Sequence, residues 1–197
     1  MMDRMRSIGY VALNARWLAL LAGTTLALAA CDSPSRPVTS VNRNGDTAVL
    51  SCKDSAGQQA PDRSAISVDG VRSPALAGDT DRFDTLPQWK GSDGRRYLVW
   101  KAFLAVGAAA APYRTVTVVS PSTARLFYAS PERWGSVGNA ATVPNPSRVV
   151  RLPACGREDT GYTGGILVTG PGCVTLAVSS PTGGEARRAV PILVGGC

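Results

Sequence analysis

Histidine is absent from this 197-residue chain, which narrows its chemistry before any motif is sought. Without imidazole there is no Ser-His-Asp or Cys-His nucleophile, no histidine zinc ligand and no histidine pH switch. A serine–lysine nucleophile of the Ser-x-x-Lys kind is also missing, because Leu50, Pro87 and Leu98 stand three residues before Lys53, Lys90 and Lys101. No phosphate loop or dinucleotide fingerprint occurs, so no cofactor is expected. Carboxylates remain. Asp79, Asp81 and Asp84 are close together, but their spacing departs from a calcium loop and Arg82 sits among them. They read as a solvated loop, Glu158–Asp159 read as a turn, and no metal site is expected. Trp89 in Leu-Pro-Gln-Trp-Lys and Trp134 in Pro-Glu-Arg-Trp-Gly stand on proline-bounded loops. A ring exposed there would bind ligand, and the competing reading is a plug at the end of a sandwich.

These residues need a scaffold, and from about residue 47 onward the pattern is β. Short runs alternate with period two between Gly, Pro, Asn and Asp clusters. Strands are expected at 48–52, 65–71, 96–106, 114–119, 125–129, 148–152, 166–168, 173–178 and 188–194. In 96–106, Leu98, Trp100, Ala102 and Leu104 share one face, and Tyr97, Val99, Lys101 and Phe103 the other. Pro181-Thr-Gly-Gly-Glu185 reads as a hairpin turn, and Pro191 places the last strand at a sheet edge. No later stretch sustains a capped helical period. The expected fold is therefore an all-β, antiparallel sandwich, with long proline-rich loops at 72–95 and 129–147 for any binding surface.

The first 30 residues have a different character. Arg4, Arg6 and Arg16 precede an apolar run from Trp17 to Leu28, too short to span a bilayer, at whose end stands Leu28-Ala29-Ala30-Cys31. These four residues resemble the lipobox of bacterial lipoproteins. The resemblance implies a signal peptide over 1–30, acylation of Cys31 (palmitate among the chains), a polar tether over 31–46 and a sandwich over 47–197. It also implies a protein held on the extracytoplasmic face of the cell membrane. Of the formal charge of +7, the signal region carries +2, leaving a dispersed +5 with no block of like charge. That suits a solvated surface, and no nucleic-acid partner is expected.

Setting Cys31 aside leaves Cys52, Cys155, Cys173 and Cys197, an even number that reads as two disulfides in an exported domain. The stretch Arg151-Leu-Pro-Ala-Cys155, Tyr162-Thr-Gly-Gly165-Ile-Leu-Val and Gly170-Pro-Gly-Cys173-Val-Thr-Leu resembles a group of secreted and lipid-anchored actinobacterial proteins with this three-cysteine spacing. That group has no assigned activity, so the resemblance carries no catalytic residue. Gly170-Pro-Gly172 resembles the point where an immunoglobulin-like chain crosses between sheets. A closing hairpin after it would bring Cys173 beside Cys197, leaving Cys52 for Cys155; the other two pairings stay open, since sequence does not fix connectivity.

The expectation is thus a membrane-anchored lipoprotein whose immunoglobulin-like sandwich is a non-enzymatic binding module, meeting an envelope protein or glycan, with Trp89 and Trp134 as candidate ligand contacts. The alternative is a carboxylate-only enzyme on envelope polysaccharide, which needs two acids facing across a cleft.

Overall fold

Alternation of β-branched and polar residues decides where the strands lie. In β7 (Tyr113–Ser120), Val116 and Val118 are buried while Thr115 and Thr117 face the other way. The computed structural model describes residues 46–57, 66–77, 86–110, 112–134, 142–143 and 145–197. Expectations for the signal region, Cys31, nearly all of the tether and the Asp79–Asp84 cluster fall outside these residues.

Thirteen strands are found among the described residues. One sheet takes β1 (Thr47–Val49), β10 (Val149–Pro153), β7, β12 (Gly172–Ser179) and β13 (Glu185–Ile192), in that order. The other takes β2 (Ile66–Val68), β3 (Val71–Ser73), β6 (Leu104–Val106), β11 (Thr160–Val168), β5 (Arg96–Lys101), β4 (Gln88–Gly91) and β9 (Thr142–Val143). β8 (Arg125–Ala129) also pairs with β11. Pairing is antiparallel except at β1–β10 and β4–β9. The result is a β-sandwich stapled by disulfides.

Aliphatic side chains from both sheets fill the space between them. Val116, Val118, Val150, Leu152, Leu176, Val178 and Val190 of one sheet pack in a single cluster with Trp100, Leu104, Leu126, Ile166 and Val168 of the other. The chain passes from the second sheet to the first between β11 and β12, across Gly170-Pro-Gly172. β13 is an edge strand, which is where Pro191 costs no ladder bond. Its hairpin with β12 closes through Gly183 and Gly184, both at positive φ.

Three expectations change. The run 65–71 is not one strand: Asp69 and Gly70 take φ of 43° and 79°, turning β2 back onto β3, because a two-residue Asp-Gly turn matches strand twist. The run 96–106 breaks at Ala102–Phe103, and its two halves both pair with β11. β11 itself starts six residues earlier than expected, through glycines whose low strand propensity hides it.

Candidate functional site

β11 organises the functional residues through what its glycines lack. At Gly164 a Cβ would fall inside the Tyr128 ring on the inner face. At Gly165 it would lie 2.7 Å from Trp100 O and 3.3 Å from the Trp134 ring on the outer face. At Gly161 it would strike Phe103. Aromatic rings therefore lie directly on bare backbone at the three glycine positions of β11.

On the outer face this builds a second apolar cluster: Trp89, Tyr97, Val99, Phe127, Ala129, Val143 and Leu167, with Trp134 packed against it. β4 and β5 set Trp89 opposite Tyr97. Residues 131–134 form one helical turn, the Trp134 amide donating to Ser130 O at 2.8 Å, and this turn lays the indole over the sheet. The Trp89 and Trp134 ring centroids are 5.3 Å apart and tilted by 59°. Trp134 stacks on Phe127 at 5.7 Å and 21°. The two candidate tryptophans are thus brought together, 45 residues apart in sequence. Their expected loop placement is corrected for Trp89, which lies on β4; with only 6% of its surface exposed it is a covered ring rather than an open ligand contact. Val143 and Trp134 cover a face that would otherwise be wet. Trp134 is half-buried and is the ring of the pair that reaches solvent.

Polar groups frame the cluster. Tyr97 Oη donates to Asp93 Oδ2 at 2.7 Å, and the Arg95 amide donates to Asp93 Oδ1 at 3.1 Å. Burial alone would raise the Asp93 carboxyl, but these hydrogen bonds and the Arg95 charge hold it below its ordinary value. Burial, then the bond to Asp93, pushes the Tyr97 hydroxyl up. Other acids are similarly engaged. Asp54 accepts from the Ser51 amide and hydroxyl, Asp69 pairs with Arg114 at 3.5 Å and Asp159 with Arg72 at 3.3 Å. Asp46 accepts from the Arg148 amide and Glu185 pairs with Arg187. Among the described residues no group of three or more Cys, Asp or Glu is placed to hold a metal.

Beside the cluster, where β4, β5 and the β11–β12 turn meet, is an open groove of about 260 Å³. Gln88, Arg96, Tyr97, Leu98, Thr169 and Pro171 line it, and no carboxylate does among the described residues. Sequence reasoning missed this groove: its residues come from three separated segments, united by the Gln88–Leu98 register of β4 with β5 and the Leu98–Val168 register of β5 with β11.

The disulfides join Cys52 to Cys155 and Cys173 to Cys197, with Cα separations of 5.7 and 5.9 Å. The first lies beside Tyr162, whose hydroxyl donates to Pro153 O at 2.6 Å and approaches Cys155 Sγ at 3.4 Å. No protein-family model, curated protein or solved structure matches the chain.

Proposed function

We propose that this chain is an envelope lipoprotein, anchored through acylated Cys31 on the extracytoplasmic face of the cell membrane, with its sandwich serving as a non-enzymatic binding module. The observation that supports this reading is cysteine bookkeeping. Two bridges consume Cys52, Cys155, Cys173 and Cys197, so Cys31 alone of the five cysteines is outside them. Stable bridges belong to oxidising compartments, which agrees with export. Two acyl chains would hold the protein where one holds only marginally. The half-buried Trp134 ring, backed by Trp89, and the groove beside them are the surfaces offered to an envelope glycan or protein.

Membrane fractionation of wild type and Cys31→Ser, with intact-mass analysis of the processed chain, tests the anchor. Wild type partitions into membranes carrying acyl mass, and Cys31→Ser is released or remains unprocessed. Unchanged cleavage and membrane retention in Cys31→Ser would refute lipidation.

A further inference from the structure

The one cation lining the groove among the described residues is Arg96, and a second, Lys90, is its cross-strand neighbour. Lys90 on β4 is directly opposite Arg96 on β5, and strand alternation puts both on the face that carries Gln88 and Leu98. Like charges directly opposite across two strands destabilise a sheet. Neither cation forms an ion pair among the described residues, although Arg72, Arg114, Arg125, Arg148 and Arg187 all do. The nearest acid in sequence, Asp93, is already engaged by Tyr97 and Arg95. An anion arriving in the groove would thus meet a planar guanidinium fork with free donors.

The other lining groups narrow what kind of anion fits. Gln88 and Thr169 offer an amide and a hydroxyl, and Tyr97, Leu98 and Pro171 offer apolar surface. Alternating hydroxyl-reading and apolar groups suit a sugar ring, whose two faces are C–H rich and whose rim is polar. At about 260 Å³ the groove is below the size of drug-binding pockets and takes one small unit.

We propose that this groove is a subsite for one acidic sugar unit of an envelope glycan, its carboxylate on Arg96, with Lys90 adding long-range attraction. The proposal rests on the binding-module reading above and gives that module a ligand class. The test is an NMR titration of the full chain with glucuronate, glucose and acetate as probes, following the amides of Gln88, Arg96, Leu98, Thr169 and Gly170. Glucuronate is expected to give saturable shifts confined to these amides, with glucose and acetate each at least tenfold weaker. Arg96→Gln is expected to weaken glucuronate at least tenfold and Lys90→Gln about threefold. Arg187→Gln, on the other sheet, is expected to change nothing. Arg96 and Lys90 are both exposed, so dispersed spectra of the variants report an intact fold. Acetate binding as tightly as glucuronate would mean an anion spot only and overturn the proposal. So would no saturable shift, or equal losses in Arg187→Gln and Arg96→Gln. Failure here with Cys31 still acylated removes the subsite and leaves the anchor standing.

Discussion

On its inner face the larger sheet packs Trp100, Leu104, Leu126 and Ile166 against valines and leucines of its partner sheet, whereas its outer face gathers Trp89, Tyr97, Phe127 and Trp134. The same strands supply both sides. β8 sends Leu126 and Tyr128 inward and Phe127 and Ala129 outward. Between two sheets, about 10 Å apart, branched aliphatics from both sides interdigitate and fill the layer. The outer face has no opposing sheet, so its rings, of about 150–250 Å² each, are closed over by Trp134 from one helical turn and Val143 from a two-residue strand. A face closed by so few residues depends heavily on each of them, and it places a half-buried tryptophan at the surface. The inner core makes the fold, and the outer cluster is where recognition can be added to it.

Substituting the glycines of β11 separates the two faces most sharply. Gly164→Ala forces a Cβ into the Tyr128 ring, close to Phe127 O, inside the main core. It is expected to cost about 3 kcal/mol, near the upper end for overpacking, measured by urea unfolding. Gly161→Ala meets only the half-buried Phe103 ring, which can swing outward, and is expected to cost less than about 1 kcal/mol. Equal costs would mean that the two faces are packed alike.

Within the outer cluster, Trp89→Ala removes a buried indole and is expected to cost about 3 kcal/mol. Trp134→Ala, half-buried, is expected to cost about half as much. A double-mutant cycle on the pair is expected to return about 1 kcal/mol of coupling, as for tilted rings in contact. Coupling indistinguishable from zero would show two rings that neighbour each other without mutual support. Trp134→Ala then becomes the clean probe for pull-downs from envelope extracts, since Trp89→Ala also perturbs the fold.

Which of these features the sequence announces depends on whether a feature is periodic. Val116 and Val118 alternate with threonines, so β7 and the inner core are readable residue by residue. The faces of 96–106 are legible too, with Trp100, Ala102 and Leu104 inward and Tyr97 and Val99 outward. The chosen pairing of cysteines follows from the β12–β13 hairpin and is the one found. The outer cluster is not legible, because Phe127 and Leu167 look like ordinary solvent-side positions until a distant segment covers them. Trp89 and Trp134 stand out as loop residues only because proline flanks them, and nothing local says that one lies on a strand and covers Tyr97. The glycines of β11 hide a strand for the same reason: their role is set by rings that arrive from elsewhere in the chain.

The main core answers at the alkaline end of the pH scale, whereas the outer face, with Tyr97 raised and Asp93 lowered, answers at both ends. Tyr128 is buried in the main core with its hydroxyl donating to Ala102 O, and burial raises its pKa well above the ordinary value. Tyr162 is raised likewise by burial and then by the charge of Asp54. A raised folded pKa contributes stability that is complete below the ordinary tyrosine value, about 10, and is lost as pH rises above it, at about 1.4 kcal/mol per pH unit for each tyrosine. Tyr128→Phe is expected to lower stability at neutral pH by about 1–3 kcal/mol, through the unsatisfied Ala102 carbonyl, and to flatten the alkaline limb by one proton. At the acid end the outer face acts more weakly. Asp93 has a lowered folded pKa, so its contribution is present above the ordinary carboxylate value and is lost as pH falls through the folded value. Asp93→Asn is expected to flatten only the limb below roughly pH 4, by a fraction of a proton because the group is largely in water. Tyr97→Phe, which removes the hydroxyl donor, is expected to reproduce most of that flattening. If Tyr97→Phe leaves the acid limb of urea midpoints unchanged while Asp93→Asn alters it, Arg95 rather than the aromatic cluster governs this carboxylate. The outer face would then have no part in the acid response.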